Sequence, residues 1–165
     1  MYHMYVKIAL LHGEIQKKIY MQKYEGFQED PSHVCRFNKS LYGLKQAPRV
    51  WYAKMDAFLL SLGFIRCKSD PNVYLQQHDG IFQVIVLYVY DLLITGSCNN
   101  QIGSIKASLH SEFAMTYLGL LKQFLGLEIE QSERGVVLSQ PKYASDLLLS
   151  SRWLIVRHSS ALFFA

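Results

Sequence analysis

Asp91 is the one charged residue between Asp79 and Lys106, and it interrupts the apolar and aromatic run Val84-Ile85-Val86-Leu87-Tyr88-Val89-Tyr90-Asp91-Leu92-Leu93-Ile94-Thr95. A carboxylate in such surroundings is costly unless a cation, donors or a solvated turn compensates it. Two chemistries are open. The acid can be a turn-former, with β-rich halves at 81–88 and 92–95 flanking a Val-Tyr-Asp tip and Gly96-Ser97 closing the hairpin. Alternatively it can be a catalytic group or hard oxygen ligand for a divalent ion. A second chemistry-bearing stretch is 34–55, which holds Arg36, Lys39, Lys45, Arg49 and Lys54 with no acid, interleaved with Phe37, Tyr42, Trp51 and Tyr52. Cations beside stacking rings suit a nucleic-acid groove; a solvated basic face over core aromatics explains the same composition.

The elements that must position these groups follow from punctuation and periodicity. Residues 4–11 are apolar enough for a buried strand closed by His12-Gly13, and 34–37 is a weaker strand. Pro48 opens a helix in which Trp51, Met55, Phe58, Leu59 and Leu62 share a face, ended by Gly63. Arg49 and Lys54 lie off that stripe, free to meet phosphate. A strand over 72–76 precedes the 81–95 hairpin. Asn99-Asn100 can cap a helix with Ile102, Ile105, Leu109 and Phe113 on one face. A second hairpin, 123–131 with 136–139, turns at Glu133-Arg134-Gly135, and Pro141 starts a short helix toward Leu149. The order predicts one continuous α+β unit, a sheet with helices packed on one face.

Composition narrows the class. The 165 residues are half apolar or aromatic and only 18% charged, below the ~25% of ordinary globular chains. Residues 1–60 carry nine Lys and Arg against five Asp and Glu, and the rest of the chain balances, so the first third holds the whole net charge of +4. No apolar stretch reaches the ~18 residues of a membrane span and no signal peptide opens the chain, so the expectation is an intracellular protein without a membrane partner. Cys35, Cys67 and Cys98 read as reduced thiols, and the six histidines suggest no metal site.

Several segments resemble one family in the right order. Tyr88-Val89-Tyr90-Asp91 is similar to the Tyr-X-Asp-Asp hairpin of reverse transcriptases with its first aspartate replaced. Ser40-Leu41-Tyr42-Gly43-Leu44-Lys45-Gln46-Ala47-Pro48-Arg49 followed by Trp51-Tyr52 resembles the signature block of copia-type retrotransposon reverse transcriptases. Met4-Tyr5-Val6-Lys7-Ile8-Ala9-Leu10-Leu11-His12-Gly13 resembles their first catalytic strand. Phe124-Leu125-Gly126-Leu127-Glu128-Ile129 resembles their primer-contacting hairpin, and Leu138-Ser139-Gln140-Pro141-Lys142-Tyr143 the segment after it.

The resemblance implies an RNA-directed DNA polymerase palm, an antiparallel sheet with helices on one face. It spans 1–149 of a Pol polyprotein, and 150–165 is a non-family tail, either an unrelated or frame-shifted ending or a lone helix. Fingers would precede Met1 and a thumb would follow about Leu148, with the remainder of the polyprotein missing. Template-primer of RNA or DNA, dNTP and Mg2+ are the implied partners and cofactor. The family's three catalytic carboxylates fall at Tyr5, Tyr90 and Asp91, so only Asp91 survives, as a weak metal ligand. A phenol is uncharged near neutral pH and bridges no cations; the expectation is an inactive polymerase, a pseudoenzyme. The alternatives are a non-catalytic nucleic-acid-binding remnant and a relic without function. Tyr117 before Leu118-Gly119 is a third tyrosine where the family has aspartate, and Tyr24 stands where it has proline. The resemblance assigns nucleotide and template contacts to Leu10, Tyr42, Gly43, Lys45, Gln46 and Arg49. Phe124, Leu125 and Gly126 are the implied primer contacts. Leu10 replaces a phenylalanine that would guard against the ribose 2′-hydroxyl.

Overall fold

A computed structural model describes residues 1–23, 26 and 33–151. They form two compact units, Met1–Leu120 and a second beginning at Leu121. The continuous unit expected from the punctuation is therefore corrected. Its cause is visible in the pairing: the strands after Leu120 pair with one another and not with the larger sheet.

The first unit is built on β1 (Tyr2–Val6), β4 (Ile65–Arg66), β5 (Val73–His78), β6 (Ile81–Tyr88), β7 (Asp91–Gly96) and β8 (Met115–Leu120), in the spatial order β4-β5-β6-β7-β1-β8. Every pairing is antiparallel. A small ribbon, β2 (Tyr20–Met21) with β3 (Cys35–Arg36), stands apart from that sheet. Two helices complete the unit, α1 (Ala47–Ser61) and α2 (Asn99–Glu112). Both bury a stripe at helical spacing: Trp51, Met55 and Leu59 from α1, Ile102, Ile105 and Leu109 from α2. These meet Met4, Val6, Tyr74, Ile85, Leu87, Leu92 and Ile94 in one core. Register puts all seven on one face, since Met4 opposes Leu92, Leu92 opposes Leu87, and Tyr74 opposes Ile85. Side chains alternate across a strand, so His3, Tyr5, Asp91 and Leu93 occupy the other face. The expected α+β fold, an antiparallel sheet with helices on one face, is what the chain forms.

Several expectations change in detail. The 4–11 strand ends at Val6, because Ile8 takes a left-handed backbone (φ 47°) and Ala9–His12 coils into a 3-10 turn. Asn99 and Asn100 are the first residues of α2 rather than its cap, which is Cys98. The strand β8 was not anticipated, since Gly119 and the mixed Met-Thr-Tyr-Leu pattern hide its alternation.

The second unit holds β9 (Gln123–Phe124), β10 (Leu127–Ser132), β11 (Gly135–Ser139) and α3 (Pro141–Ser150). The expected second hairpin forms, with Ser132 opposite Gly135 across a Glu133-Arg134 turn. All of β11 and α3 is exposed. Tyr24 and most of the 150–165 tail lie outside the described residues. Among the described residues, no helix is long and apolar enough to cross a membrane.

Candidate functional site

Hydrogen bonding across β1 and β7 assembles the site. Tyr5 and Asp91 are direct cross-strand partners, and the Val6 amide donates to the Tyr90 carbonyl at 2.8 Å. Asp91 is not at the tip of its hairpin, as the sequence implied. It is the first residue of β7, opposite Tyr88, and the turn is the pair Val89-Tyr90. Val89 carries a positive φ of 54°, which a β-branched residue adopts only under strain. The indole Nε1–H of Trp51 donates to the Val89 carbonyl at 2.5 Å. The core helix α1 thus holds the turn in its strained form.

The carboxylate of Asp91 is compensated, though not by solvent at a bend. His3 Nε2 lies 2.7 Å from Asp91 Oδ1, with both side chains less than a fifth exposed. This contact spans 88 residues of sequence. One strand position beyond His3 on the same face, the Tyr5 ring meets the Tyr90 ring at 5.0 Å between centroids, tilted by 58°. Three of the positions assigned to chemistry are therefore together: two rings in contact and one carboxylate paired with an imidazole.

A groove of about 450 Å³ opens beside them, lined by Tyr5 and Tyr90, by Leu10 from the 3-10 turn, by Leu41 and Tyr42 ahead of α1, and by Pro48 in its first turn. Gly13 and Ser40 fix this edge. A Cβ on Gly13 would approach Val50 Cγ1 to 2.8 Å, and the buried Ser40 donates its amide to the Gly13 carbonyl and its hydroxyl to the Leu10 carbonyl. Gly43 has φ 96° with open space around it, so its conformation rather than crowding calls for glycine. Gln46 is the N-cap residue of α1, and Lys45 and Arg49 are exposed; none of these three belongs to the groove lining.

Lys54 is not free for phosphate as its position off the stripe implied. Its ammonium sits 3.7 Å from Glu112 Oε1 and near the Phe113 ring. Tyr117 is exposed on β8, where the Lys106 ammonium lies 4.3 Å from its ring centroid and 3.4 Å from that of Tyr2. Phe124, Leu125 and Gly126 fall in the second unit, where Leu125 and Gly126 both take positive φ in the turn between β9 and β10. His12, packed between Trp51 and Phe113, has its imidazole pKa pushed down by burial first and by Lys54 second.

His3 was missed from sequence. A signal existed, since His3 and Tyr5 are two apart and must share a strand face, but nothing in the sequence gave the register that sets Asp91 within reach of it.

Among the described residues, no three His, Cys, Asp or Glu side chains converge on a point that could hold a metal ion. The donor set at Asp91, one carboxylate and one imidazole beside two phenols, does not match the oxygen ligands that Mg2+ requires.

A family model for reverse transcriptase (RNA-dependent DNA polymerase) matches residues 1–152. The chain is 44% identical over 148 residues to the retrovirus-related Pol polyprotein from transposon TNT 1-94 of Nicotiana tabacum, covering 87% of this chain and 11% of that protein. It is 34% identical over 154 residues to the Pol polyprotein from transposon RE2 of Arabidopsis thaliana, covering 92% and 11%. The corresponding polyprotein from transposon RE1 of the same plant also shares 34%, over 92% of this chain and 10% of its own length. The chain thus spans about a tenth of these curated relatives. No solved structure matches it.

Proposed function

The chain belongs to the reverse transcriptase (RNA-dependent DNA polymerase) family as it occurs in the Pol polyproteins of copia-type retrotransposons, and we propose that it is a palm region, residues 1–149, that no longer adds nucleotides. The observation carrying this reading is the pair of rings at Tyr5 and Tyr90, in contact 5.0 Å apart, where carboxylates would have to bridge two cations.

The chemistry demands anionic oxygen. Attack of a primer hydroxyl on a dNTP concentrates negative charge that paired metal ions neutralise, each held by carboxylates. Here Asp91 remains, and His3 engages one of its oxygens at 2.7 Å. One carboxylate, already hydrogen-bonded to His3, supplies too few hard oxygen ligands to hold two cations. Losing even about 4 kcal/mol of transition-state stabilisation slows the reaction roughly a thousandfold. We therefore assign no metal-dependent step to these residues. Tyr42 and Leu10, which line the groove, and Gly43 next to Tyr42 would face a nucleotide, and exposed Lys45 and Arg49 can meet the phosphates of a template-primer. Phe124, Leu125 and Gly126 would contact the primer backbone.

Purified protein given an annealed primer-template, dNTPs and Mg2+ should extend no primer above a no-protein control. Extension that scales with protein concentration would overturn the reading.

A second reading has its own observation. Arg36, Lys39, Lys45 and Arg49 are all exposed in one stretch of the chain without an acid. Such a face can bind a nucleic-acid backbone without catalysis, and its affinity would fall linearly in a log-log plot against salt.

A further inference from the structure

We propose that His12 is an acid-sensitive latch on the Leu10 side of the groove. Uncharged, its imidazole pins the 3-10 turn Ala9–His12 against α1 and the residue that ends α2; charged, it has to leave that slot, and the turn is released. The inference does not depend on whether the chain polymerises.

Rings make the slot. The His12 imidazole lies 5.9 Å from Trp51 and 5.4 Å from Phe113 between ring centroids, edge-on to Phe113 at 87°. Trp51 and Phe113 also meet each other at 5.4 Å, and both are buried. Inside this cluster the Nε2 atom of His12 is buried and has no hydrogen-bond partner among the described residues. A backbone hydrogen bond with Lys7 engages the ring, and with Nε2 unpartnered it falls to Nδ1, which donates to the Lys7 carbonyl. The tautomer that fits therefore carries its proton on Nδ1 and a bare lone pair at Nε2. A second proton would add both a charge and an N–H donor at Nε2, in apolar surroundings without an acceptor, which is a costly burial.

The charged neighbours add to that cost on balance. Lys54 from α1 and Lys39 from the segment ahead of it oppose a positive imidazole, while Glu112 at the end of α2 favours it. Glu112 is itself engaged by Lys54 at 3.7 Å. Burial first and Lys54 second hold the imidazole below its ordinary range. The turn is also easily released. Its first residue follows Ile8 in a left-handed backbone (φ 47°), and its bond from the Gly13 amide to the Leu10 carbonyl is long, at 3.4 Å. Leu10 lines the groove, so releasing the turn alters that wall. The sign follows from linkage. A folded-state pKa below the unfolded value of about 6.5 gives stability that is full above that pH and is lost as the pH falls toward the folded value.

The test follows the whole chain from about pH 7.5 to pH 4.5, reading the His12 ring by carbon–proton NMR and backbone amides by hydrogen exchange. His12 should titrate below about 6.5. With the same midpoint, protection of the Leu11 and Ser40 amides, which bond to Ile8 and Gly13, should fall more than about fivefold, while that of Leu87, bonded to Asn72 across the sheet, should hold. His12→Phe keeps a ring in the slot without a titrating group, and its Leu11 and Ser40 protection should not respond to acid. The inference is overturned if His12 titrates at or above about 6.5, or not at all in this range. It is equally overturned if Leu11 and Ser40 stay protected through the His12 titration, or if His12→Phe keeps the acid response. Should that variant fail to fold, the titration and exchange of the original chain decide alone.

Discussion

The two faces of the same central strands have opposite characters. On the helix-covered face, Met4, Val6, Leu92 and Ile94 are all buried to within 2% exposure and pack on α1 and α2. One residue away along the chain, the other face carries His3, Tyr5 and Asp91, a histidine–carboxylate pair beside the Tyr5 ring, which meets that of Tyr90. The lesson is that the buried core and the open polar face can change independently, because a strand's alternation assigns them to different sides. Replacing an aspartate by tyrosine on the open face exchanges a solvated charge for a ring that finds another ring. The same exchange on the core face would bury unmatched volume and a polar group.

Substitutions on each face measure how far that separation goes. The largest effect is expected from Trp51→Ala, which empties a fully packed core position and removes the bond to the Val89 carbonyl. It should cost about 3–5 kcal/mol, read as a lowered denaturant midpoint; a near-neutral result would mean the core face is not what holds the sheet. Next comes Tyr5→Asp combined with Tyr90→Asp. Three neighbouring carboxylates repel, so this chain should lose about 1–3 kcal/mol in EDTA. Added Mg2+ should restore it by preferential binding to the folded form, whereas the melting temperature of the original chain should not respond to Mg2+. An equal response in both would erase the distinction between the faces. His3→Gln is expected to cost about 1–2 kcal/mol, the value of a charge-assisted, half-buried hydrogen bond. If calorimetry finds no loss, the His3–Asp91 contact does not compensate the carboxylate. Smallest is Val89→Asn, since asparagine tolerates the left-handed backbone. It should raise the melting temperature by about 2–4 °C, and a lowered value would show that the turn depends on the valine side chain.

The two units teach a similar contrast. Their local sequence signals are alike, and both hairpins were anticipated. Yet β6 and β7 are stitched into six strands with a buried face, while β11 and α3 leave Val137, Leu138, Tyr143 and Leu147 exposed. Periodicity reports which face of an element is apolar. It does not report whether another element covers that face.

Much of this protein could be read from order and type along the chain. The stripe Trp51, Met55, Leu59 is a local 3.6-residue pattern, and Gly63, at φ 86°, marks its end as glycine does after a helix. The hairpin is signalled by β-rich runs on both sides of a short break. The count of carboxylates is also a matter of type alone, since tyrosine at 5 and 90 can supply none whatever the fold does. What only the folded chain decided are the partners. Asp91 sits in a strand beside His3 rather than at a bend, Lys54 is engaged by Glu112, and Tyr5 touches Tyr90. Each is a contact between residues 58 to 88 positions apart. Such contacts depend on strand register and helix placement, which are fixed by packing the whole apolar face at once and leave no trace in any short window of sequence.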